Sequence, residues 1–398
     1  MKWASAISEN LSLRSAIGRC AEEVISELDT DTPDLLLAFV SSSHRDEYDD
    51  VPGLISDAVK VGHLIGCSGG GVIGNGVEVE NRPAFAMTGA HLPGVDMSLF
   101  HVEEGDLPSL DDSPSAWEDL VQVSAQDRPH FVVLPDPFTI SADSLILGLD
   151  YAFSDSVKIG GLASGGMRPG TNALFLDGKV YRSGAVGLAM HGNIRVDTIV
   201  AQGCRPIGQP LIVTKCQGNV LQELDEGKPL EVLRRVFDGS NEHDQGLINT
   251  ALHVGVVMDP LKAEFGPGDF LIRNVMGLHQ ETGALVVGEI LREGQVVQFH
   301  VRDARTAEED LNTLMERYVM ERDSVNPSGA LLFSCLGRGE NLFGRPNHDS
   351  DAFLEKVSRV PLTGFFCNGE IGQVGGTTFL HGFTSSFAMF TPSNDEEG

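Results

Sequence analysis

Residues 34–68 read DLLLAFVSSSHRDEYDDVPGLISDAVKVGHLIGCS, and two short apolar runs flank a helical segment within them. The runs at 34–40 and 63–68 have the length of strands, and residues 51–62 space their apolar side chains as a helix does. A strand, a helix and a second strand in this order are typical of a layered sheet covered by helices. The sequence therefore predicts an α/β (mixed α+β) protein, with layered mixed β-sheets flanked by helices.

The rest of the chain adds antiparallel elements and a change of pattern. Residues 83–92 and 95–103 are predicted as strands paired around Pro93-Gly94, and Asp177-Gly178 between alternating apolar residues predicts a hairpin. Residues 306–324 give the clearest helix of the chain. Because the pattern changes near residues 190–210, we predict two domains, 1–200 and 201–398.

The charge of the chain excludes several kinds of partner. Lys and Arg number 28 and Asp and Glu number 57, so the formal net charge is −29. Such a chain repels nucleic-acid phosphates and anionic membrane surfaces. The first residues lack the apolar core of a signal peptide, and no apolar run approaches about 18 residues. We therefore expect a cytoplasmic protein with no nucleic-acid partner and no membrane insertion.

The six cysteines show no metal-binding pattern. They lie at positions 20, 67, 204, 216, 335 and 367, with neither a C-x-x-C pair nor the spacing of a zinc site. We expect thiols rather than disulfides in a large chain of this kind. The sequence predicts no metal and no cofactor.

Glycine is in surplus, at 46 of 398 residues, against a usual share of about 7%. Four apolar runs end in glycine turns, at 65–76, 159–170, 334–344 and 367–376, and the first two resemble each other weakly. Ligands of open α/β sheets bind outside the carboxyl ends of the strands. We predict that the four turns line one pocket with backbone N–H groups. The alternative is that they are tight turns without a ligand.

Two familiar patterns occur in the first turn and are rejected. Gly69-x-Gly71-x-x-Gly74 matches a dinucleotide-binding fingerprint, and Gly66-Cys67-Ser68-Gly69-Gly70 matches a hydrolase nucleophile elbow. Both patterns require a helix directly afterwards. The residues that follow, NGVEVENRPAFAM, are predicted to be extended. We therefore expect neither dinucleotide binding nor an α/β-hydrolase.

Several reactive or charged side chains lie near the glycine turns. Cys335 ends an apolar run three residues before Arg338, which makes it a weak candidate nucleophile; a small buried side chain is the alternative. The cations of Arg273, Arg302 and Arg338 are scarce in this acidic chain and suit a carboxylate or phosphate ligand. Pairing with nearby carboxylates is the alternative for each of them. Asp303 is predicted to cap the long helix.

Five motifs together resemble one family. IGCSGGGVIGNG, FLIRNVMG, QFHVRDA, LLFSCLGRG and GFFCNGEIG, in this order and spacing, resemble FIST (F-box and intracellular signal transduction) proteins. The resemblance implies a FIST N-terminal domain to about residue 200 and a FIST C-terminal domain after it. It also implies a sensory module that binds small ligands such as amino acids or their derivatives, without an established reaction. We expect neither an F-box nor a signalling domain in this chain, so its output would pass through a protein partner or a homo-oligomer.

Three hypotheses for function follow. The first is a small-ligand sensor, in which Arg302 and Arg338 hold an anionic group and Glu370 holds an amine. The second is a protein-interaction scaffold, and the third is an enzyme with Cys335 as nucleophile. The predicted ligand-binding residues all lie at or beside strand ends. They are Cys67, Ser68, Gly69, Gly70, Ser164, Gly165, Arg302, Cys335, Arg338, Asn368 and Glu370.

Overall fold

A computed structural model describes residues 1–262, 264–266, 268–322 and 326–393. The chain divides into two compact units that are interleaved along the sequence. Unit 1 holds Met1–Val200, Asn312–Leu380 and the residues from Thr384 onward, and unit 2 holds Ala201–Leu311 with His381–Phe383. The mixed α/β class and the two-domain layout are confirmed. The division into family domains at residue 200 stays a prediction.

Unit 1 consists of three repeats of one element order. The first repeat comprises β1 (Lys2–Ser8), α1 (Leu13–Leu28), β2 (Leu35–Ser41), α2 (Val51–Ala58), β3 (His63–Gly69), β4 (Gly71–Gly74), β5 (Val77–Glu80) and β6 (Phe85–His91). The second comprises β7 (Val95–Val102), α3 (Pro114–Val121), β8 (His130–Pro135), α4 (Ala142–Ala152), β9 (Lys158–Gly161), β10 (Leu174–Leu176), β11 (Lys179–Tyr181) and β12 (Ala185–Gly192). Each repeat therefore places a helix before and after its second strand.

The third repeat contains unit 2 as an insertion. It begins with β13 (Arg195–Gln202), after which unit 2 contributes β14 (Cys204–Gln217), β15 (Val220–Leu224), α5 (Pro229–Asp238), α6 (Glu242–Thr250), β16 (Leu252–Val257), β17 (Phe270–His279), β18 (Ala284–Val287) and β19 (Val296–Arg302). Helix α7 (Ala304–Glu321) has residues in both units. The repeat continues with β20 (Gly329–Cys335), α8 (Gly339–Phe343), α9 (His348–Lys356), β21 (Leu362–Cys367), β22 (Glu370–Val374), β23 (Thr377–His381) and β24 (Thr384–Thr391).

The three repeats exchange hairpins in a cycle. Their six-stranded sheets have the orders β1-β6-β2-β3-β10-β11, β23-β22-β9-β8-β12-β7 and β13-β24-β20-β21-β4-β5. A parallel pair lies at the centre of each sheet: β2 with β3, β8 with β9, and β20 with β21. The hairpin that follows the third strand of one repeat joins the sheet of another. The weak likeness between two glycine turns therefore belongs to a threefold structural repeat.

One glycine in each parallel pair permits this repeat. A Cβ added at Gly66, Gly160 or Gly364 would lie 1.9, 1.9 or 1.7 Å from a carbonyl oxygen of the neighbouring strand. Such distances are impossible for a real Cβ, so only glycine fits each of these positions.

Strand β2 shows how the sequence forms the core of unit 1. Its side chains alternate between two clusters: Leu37 and Phe39 face the other sheets, whereas Leu36 and Ala38 face α1 and α2. Because both faces of β2 are buried, its sequence is a continuous apolar run. That run is the pattern from which the strand was predicted. From the sequence, Asn10 or Ser12 could cap the first helix. The cap seen is Ser12, whose side chain accepts a hydrogen bond from the N–H of Ser15 at the start of α1.

One predicted strand pair is wrong. Strand β6 pairs with β1 and β2, whereas β7 pairs with β12 in a different sheet. Pro93-Gly94 therefore connects two repeats and does not form a hairpin turn. The hairpin at Asp177-Gly178 is confirmed, because β10 and β11 pair antiparallel on either side of it. The extended segment predicted after the first glycine turn, residues 75–87, is also confirmed, as β5 and the start of β6.

Unit 2 contains a closed six-stranded barrel of order β14-β15-β18-β17-β16-β19. Asp303 follows β19, and its Oδ1 accepts backbone N–H groups of Arg305 at 3.1 Å and Thr306 at 3.5 Å. This is the predicted capping of the long helix, now seen as α7. Within the described part of the chain, the helices are too short or too polar to span a bilayer.

Candidate functional site

Ser164 links three strand ends of unit 1. Its backbone N–H donates to the carbonyl oxygen of Ser68 at 3.1 Å, and its hydroxyl accepts the N–H of Gly70 at 2.8 Å. The same hydroxyl donates to the carbonyl oxygen of Phe366 at 2.5 Å. One side chain thus joins the ends of β3 and β21 to the turn after β9, which carries Ser164 itself.

Backbone hydrogen bonds complete the junction of the turns. Leu162 and Asn368 lie across from each other: the N–H of Asn368 donates to Leu162 at 3.1 Å, and the N–H of Leu162 donates to Gly369 at 2.9 Å. The N–H of Leu336, which follows β20, donates to Cys367 at 3.0 Å. All four predicted glycine turns therefore meet within unit 1.

The junction has a buried floor and an exposed rim. Ser68 and Ser164 are buried, whereas Gly70 and Gly165 are half-buried. Asn368 and Leu336 are exposed. Gly69, the last residue of β3, and Cys67, two residues before it, are both buried. That these residues bind a ligand stays a prediction.

Arg338 forms a buried ion pair beneath the rim. Its Nε and Nη2 each donate to an oxygen of Asp349 at 2.8 Å, and the side chains are 0% and 2% exposed. Burial opposes the charged form of Asp349, but Arg338 and His348 outweigh it and hold the pKa of that carboxyl well below its usual range. Both partners are therefore charged in the folded protein.

One nitrogen of the Arg338 guanidinium takes no part in the ion pair with Asp349. Its Nη1 is buried and has no hydrogen-bond partner among the described residues. The guanidinium lies 5.2 Å from the centre of the Phe343 ring, and Cys335 and Glu370 are close enough to influence its pKa. A buried charged N–H without a partner costs free energy, so such groups are normally satisfied by a water molecule or a ligand.

Glu370 is a second buried charged group at the junction. Its Oε2 accepts the N–H of Thr384 at 3.0 Å and the Thr384 hydroxyl at 2.7 Å. Its Oε1 accepts only the thiol of Cys367, at 3.4 Å, among the contacts seen. Burial raises the pKa of Glu370 to about 7, although the bonds from Thr384 oppose this. A small change of surroundings therefore decides whether this carboxyl is charged near neutral pH.

The three cysteines near the turns differ in exposure. Cys67 and Cys367 are fully buried, and burial raises the pKa of each thiol well above its usual value. Cys335 is half-buried, and its sulfur accepts the N–H of Gly337 at 3.5 Å. Of these three cysteines, Cys335 is the least buried residue.

The remaining predicted cations lie in unit 2. Arg273 donates from Nε to Glu289 at 2.6 Å, so the alternative of pairing with a carboxylate is the one seen. Arg302 ends β19 with its guanidinium 5.8 Å from the centre of the Phe383 ring. Its role as a ligand contact stays a prediction.

Comparison with known proteins gives the family. The FIST N domain matches residues 34–227, and the FIST C domain matches residues 229–373. This chain belongs to the FIST family. FIST domains are sensory domains of signal transduction.

Relatives of this FIST protein cover its whole length or part of it. An uncharacterized protein of Mycobacterium tuberculosis is 37% identical over 98% of this chain and 100% of its own length. An uncharacterized protein of Mycobacterium bovis is 34% identical over 95% of both chains. Human F-box only protein 22 is 29% identical over 34% of this chain and 33% of its own length. A cyanuric acid hydrolase structure from A. caulinodans aligns with a TM-score of 0.31 and 8% identity, too low to establish a shared fold.

Sequence reasoning missed the residues that hold the charged groups of this FIST protein in place. Asp349 fixes Arg338, Ser334 donates to Asp349 at 3.1 Å, and Thr384 binds Glu370. The acidic first turn of α9 was a weak signal for Asp349. No spacing rule links Asp349 to an arginine eleven residues earlier, on another element.

Glu78 forms a further buried contact beside Asp349. It lies on β5 and is 4% exposed, and its Oε1 accepts both the N–H and the hydroxyl of Ser350 at 2.8 Å. Burial, and then the charge of Asp349, raise the pKa of Glu78 from 4.5 to about 8. The folded protein thus binds this proton more tightly than the unfolded chain does.

Glu78→Gln is expected to change how stability depends on pH. Because the pKa of Glu78 is raised on folding, the wild-type free energy of unfolding should fall as pH rises from about 4.5 to about 8, by at most about 1.4 kcal/mol per pH unit. Glutamine keeps the acceptor for Ser350 but cannot ionise. The free energy of unfolding of the variant should therefore rise relative to that of the wild type across this range. Urea unfolding at pH 5, 6, 7 and 8 measures the difference. The exposed Glu23→Gln is the control, and a constant difference for Glu78→Gln would contradict the expectation.

Proposed function

We propose that this protein is a cytoplasmic sensor that binds a small anionic, amino-acid-like molecule at the strand-end junction of unit 1. The observation that carries the proposal is the buried Nη1 of Arg338, which has no hydrogen-bond acceptor among the described residues. A carboxylate accepts such an N–H strongly, because both groups are charged. The signal passes to a protein partner or through a homo-oligomer, without nucleic acid or membrane insertion.

The half-exposed rim offers further contacts for this ligand. Half-buried Gly70 and Gly165 and the exposed amide of Asn368 supply polar groups and close backbone approach. Oε1 of Glu370, engaged by the Cys367 thiol at 3.4 Å, has capacity for an ammonium group.

A ligand screen tests the proposal. Thermal unfolding of the full chain is measured with single L-amino acids and small carboxylates, and native mass spectrometry examines protein purified from its own host. A ligand at 100 times its Kd should stabilise the fold by about 2.7 kcal/mol. If no compound shifts the unfolding temperature and no bound mass is found, the proposal is wrong. A stable protein partner recovered without a small molecule would instead favour the scaffold.

Two arginine variants locate the ligand. Arg338→Lys keeps a cation beside Asp349 but removes the spare Nη1, so the shift produced by a ligand found in the screen should be lost. Each variant is compared with its own ligand-free unfolding temperature. Arg345→Lys, on an exposed arginine, is the control and should keep the shift. If the ligand raised the unfolding temperature of both variants equally, the ligand would not bind at Arg338.

A further inference from the structure

Two cysteines lie side by side at the ends of two parallel strands. Strand β20 pairs with β21 in a register that places Cys335 opposite Cys367. Neighbouring strands lie about 4.8 Å apart, and the Cα atoms of disulfides are usually about 4.4–6.8 Å apart. The backbone therefore already has the spacing of a disulfide.

Both side chains point to the same face of the sheet. Side chains alternate along a strand, and Phe333 and Phe365, two residues before the cysteines, both belong to the cluster between the sheets. Cys367 belongs to the same cluster, and its thiol pKa responds to the charge of Cys335. The two sulfurs are therefore neighbours on one face.

The surroundings give the two thiols different roles. Cys335 is half-buried. Its sulfur accepts the N–H of Gly337 at 3.5 Å and lies near the guanidinium of Arg338, and both the N–H and the cation favour a reactive thiolate. The thiol of Cys367 is fully buried, and its acceptors are the carbonyl oxygen of Ser334 at 3.3 Å and Oε1 of Glu370 at 3.4 Å, so a base for its proton lies within reach. Solutes therefore reach Cys335 more easily than they reach Cys367.

We propose that Cys335 and Cys367 form a hydroperoxide-reactive dithiol site that closes to a disulfide. The Cys335 thiolate attacks the hydroxyl oxygen of the hydroperoxide and the O–O bond breaks, which leaves a sulfenic acid on Cys335. The departing hydroxide or alkoxide takes up the proton that the thiol lost to solvent and becomes water or an alcohol. Cys367 passes its proton to Glu370 and attacks the Cys335 sulfur. The S–O bond breaks, and hydroxide leaves and takes up a proton. In sum, two thiols are oxidised and one hydroperoxide is reduced. This site does not depend on the proposed ligand.

Thiol counting on the full chain tests the site. Reduced protein, freed of reductant, is treated with hydrogen peroxide, denatured and alkylated. The wild type should lose two of its six alkylation sites and regain them after dithiothreitol. Trypsin cuts at Arg338 and Arg359, so a cross-linked peptide pair identifies the bond. Persistence of all six sites, or a bond between other cysteines, would overturn the proposal.

Three serine variants make the test specific. Cys335→Ser and Cys367→Ser should each abolish the cross-link, and Cys367→Ser should accumulate a sulfenic acid at Cys335 that dimedone traps. Cys216→Ser is the matched control, because Cys216 is also half-buried but lies on β14 of unit 2. This variant should still lose two alkylation sites on treatment with hydrogen peroxide. Should Cys335→Ser lose two sites as the wild type does, the proposal is wrong.

Discussion

Gly364→Ala is expected to lower the free energy of unfolding by at least about 2 kcal/mol, or to prevent folding. Its new Cβ would lie 1.7 Å from the carbonyl oxygen of Leu332, a backbone atom that cannot move aside without disturbing β20. Gly66→Ala and Gly160→Ala should act alike, since each added Cβ would lie 1.9 Å from a carbonyl oxygen in its own repeat. Urea unfolding followed by circular dichroism measures the three losses.

A helical glycine supplies the control for these variants. Gly18 lies in α1, and an added Cβ would meet nothing within 4 Å. Gly18→Ala should therefore raise the free energy of unfolding by about 0.5–1 kcal/mol. If Gly364→Ala were as stable as the wild type, the tight parallel pairing of β20 with β21 would be incorrect.

Arg338→Met is expected to cost about 3–5 kcal/mol of unfolding free energy. The variant leaves the Asp349 carboxylate buried without its cation, and removing one partner of a buried pair is costly for this reason. Chemical unfolding at neutral pH measures the loss. The double variant Arg338→Met with Asp349→Leu should recover most of it, because no unpaired charge then remains.

An exposed ion pair is the control for the buried one. Arg14 lies 3.3 Å from Asp57, with both side chains more than two-thirds exposed. Arg14→Met should change stability by at most about 0.5 kcal/mol, since water and salt screen such pairs. A small loss in Arg338→Met, similar to that in Arg14→Met, would contradict the buried charge pair.

The sequence was informative wherever the signal was local. Neighbouring residues alone indicate the apolar runs of β2 and β3, the cap at Ser12 and the extended chain of β5 after the first glycine turn. The rejection of a dinucleotide fingerprint followed from that last segment. Local patterns carry such information because strand and helix periods are short.

Long-range pairing could not be predicted in the same way. The residues around β6 show no pattern that identifies β1 and β2, and not the adjacent β7, as its pairing partners. The pairing of Arg338 with Asp349 likewise depends on how α9 packs, which no spacing encodes. Of the candidate site, the glycine turns were predicted as one group, but the contacts that fix their charged side chains were not.

The cyclic exchange of hairpins makes the three repeats of unit 1 mutually dependent. A fragment ending near residue 200 would keep the hairpin β4–β5 but lose the sheet that receives it, and it would leave the edge of β9 without β22. Open strand edges of this kind invite pairing with other chains. The segments that match the FIST N and FIST C domains are thus adjacent in sequence but depend on each other to complete their sheets. Gene fusions or truncations should therefore keep all three repeats of unit 1 together.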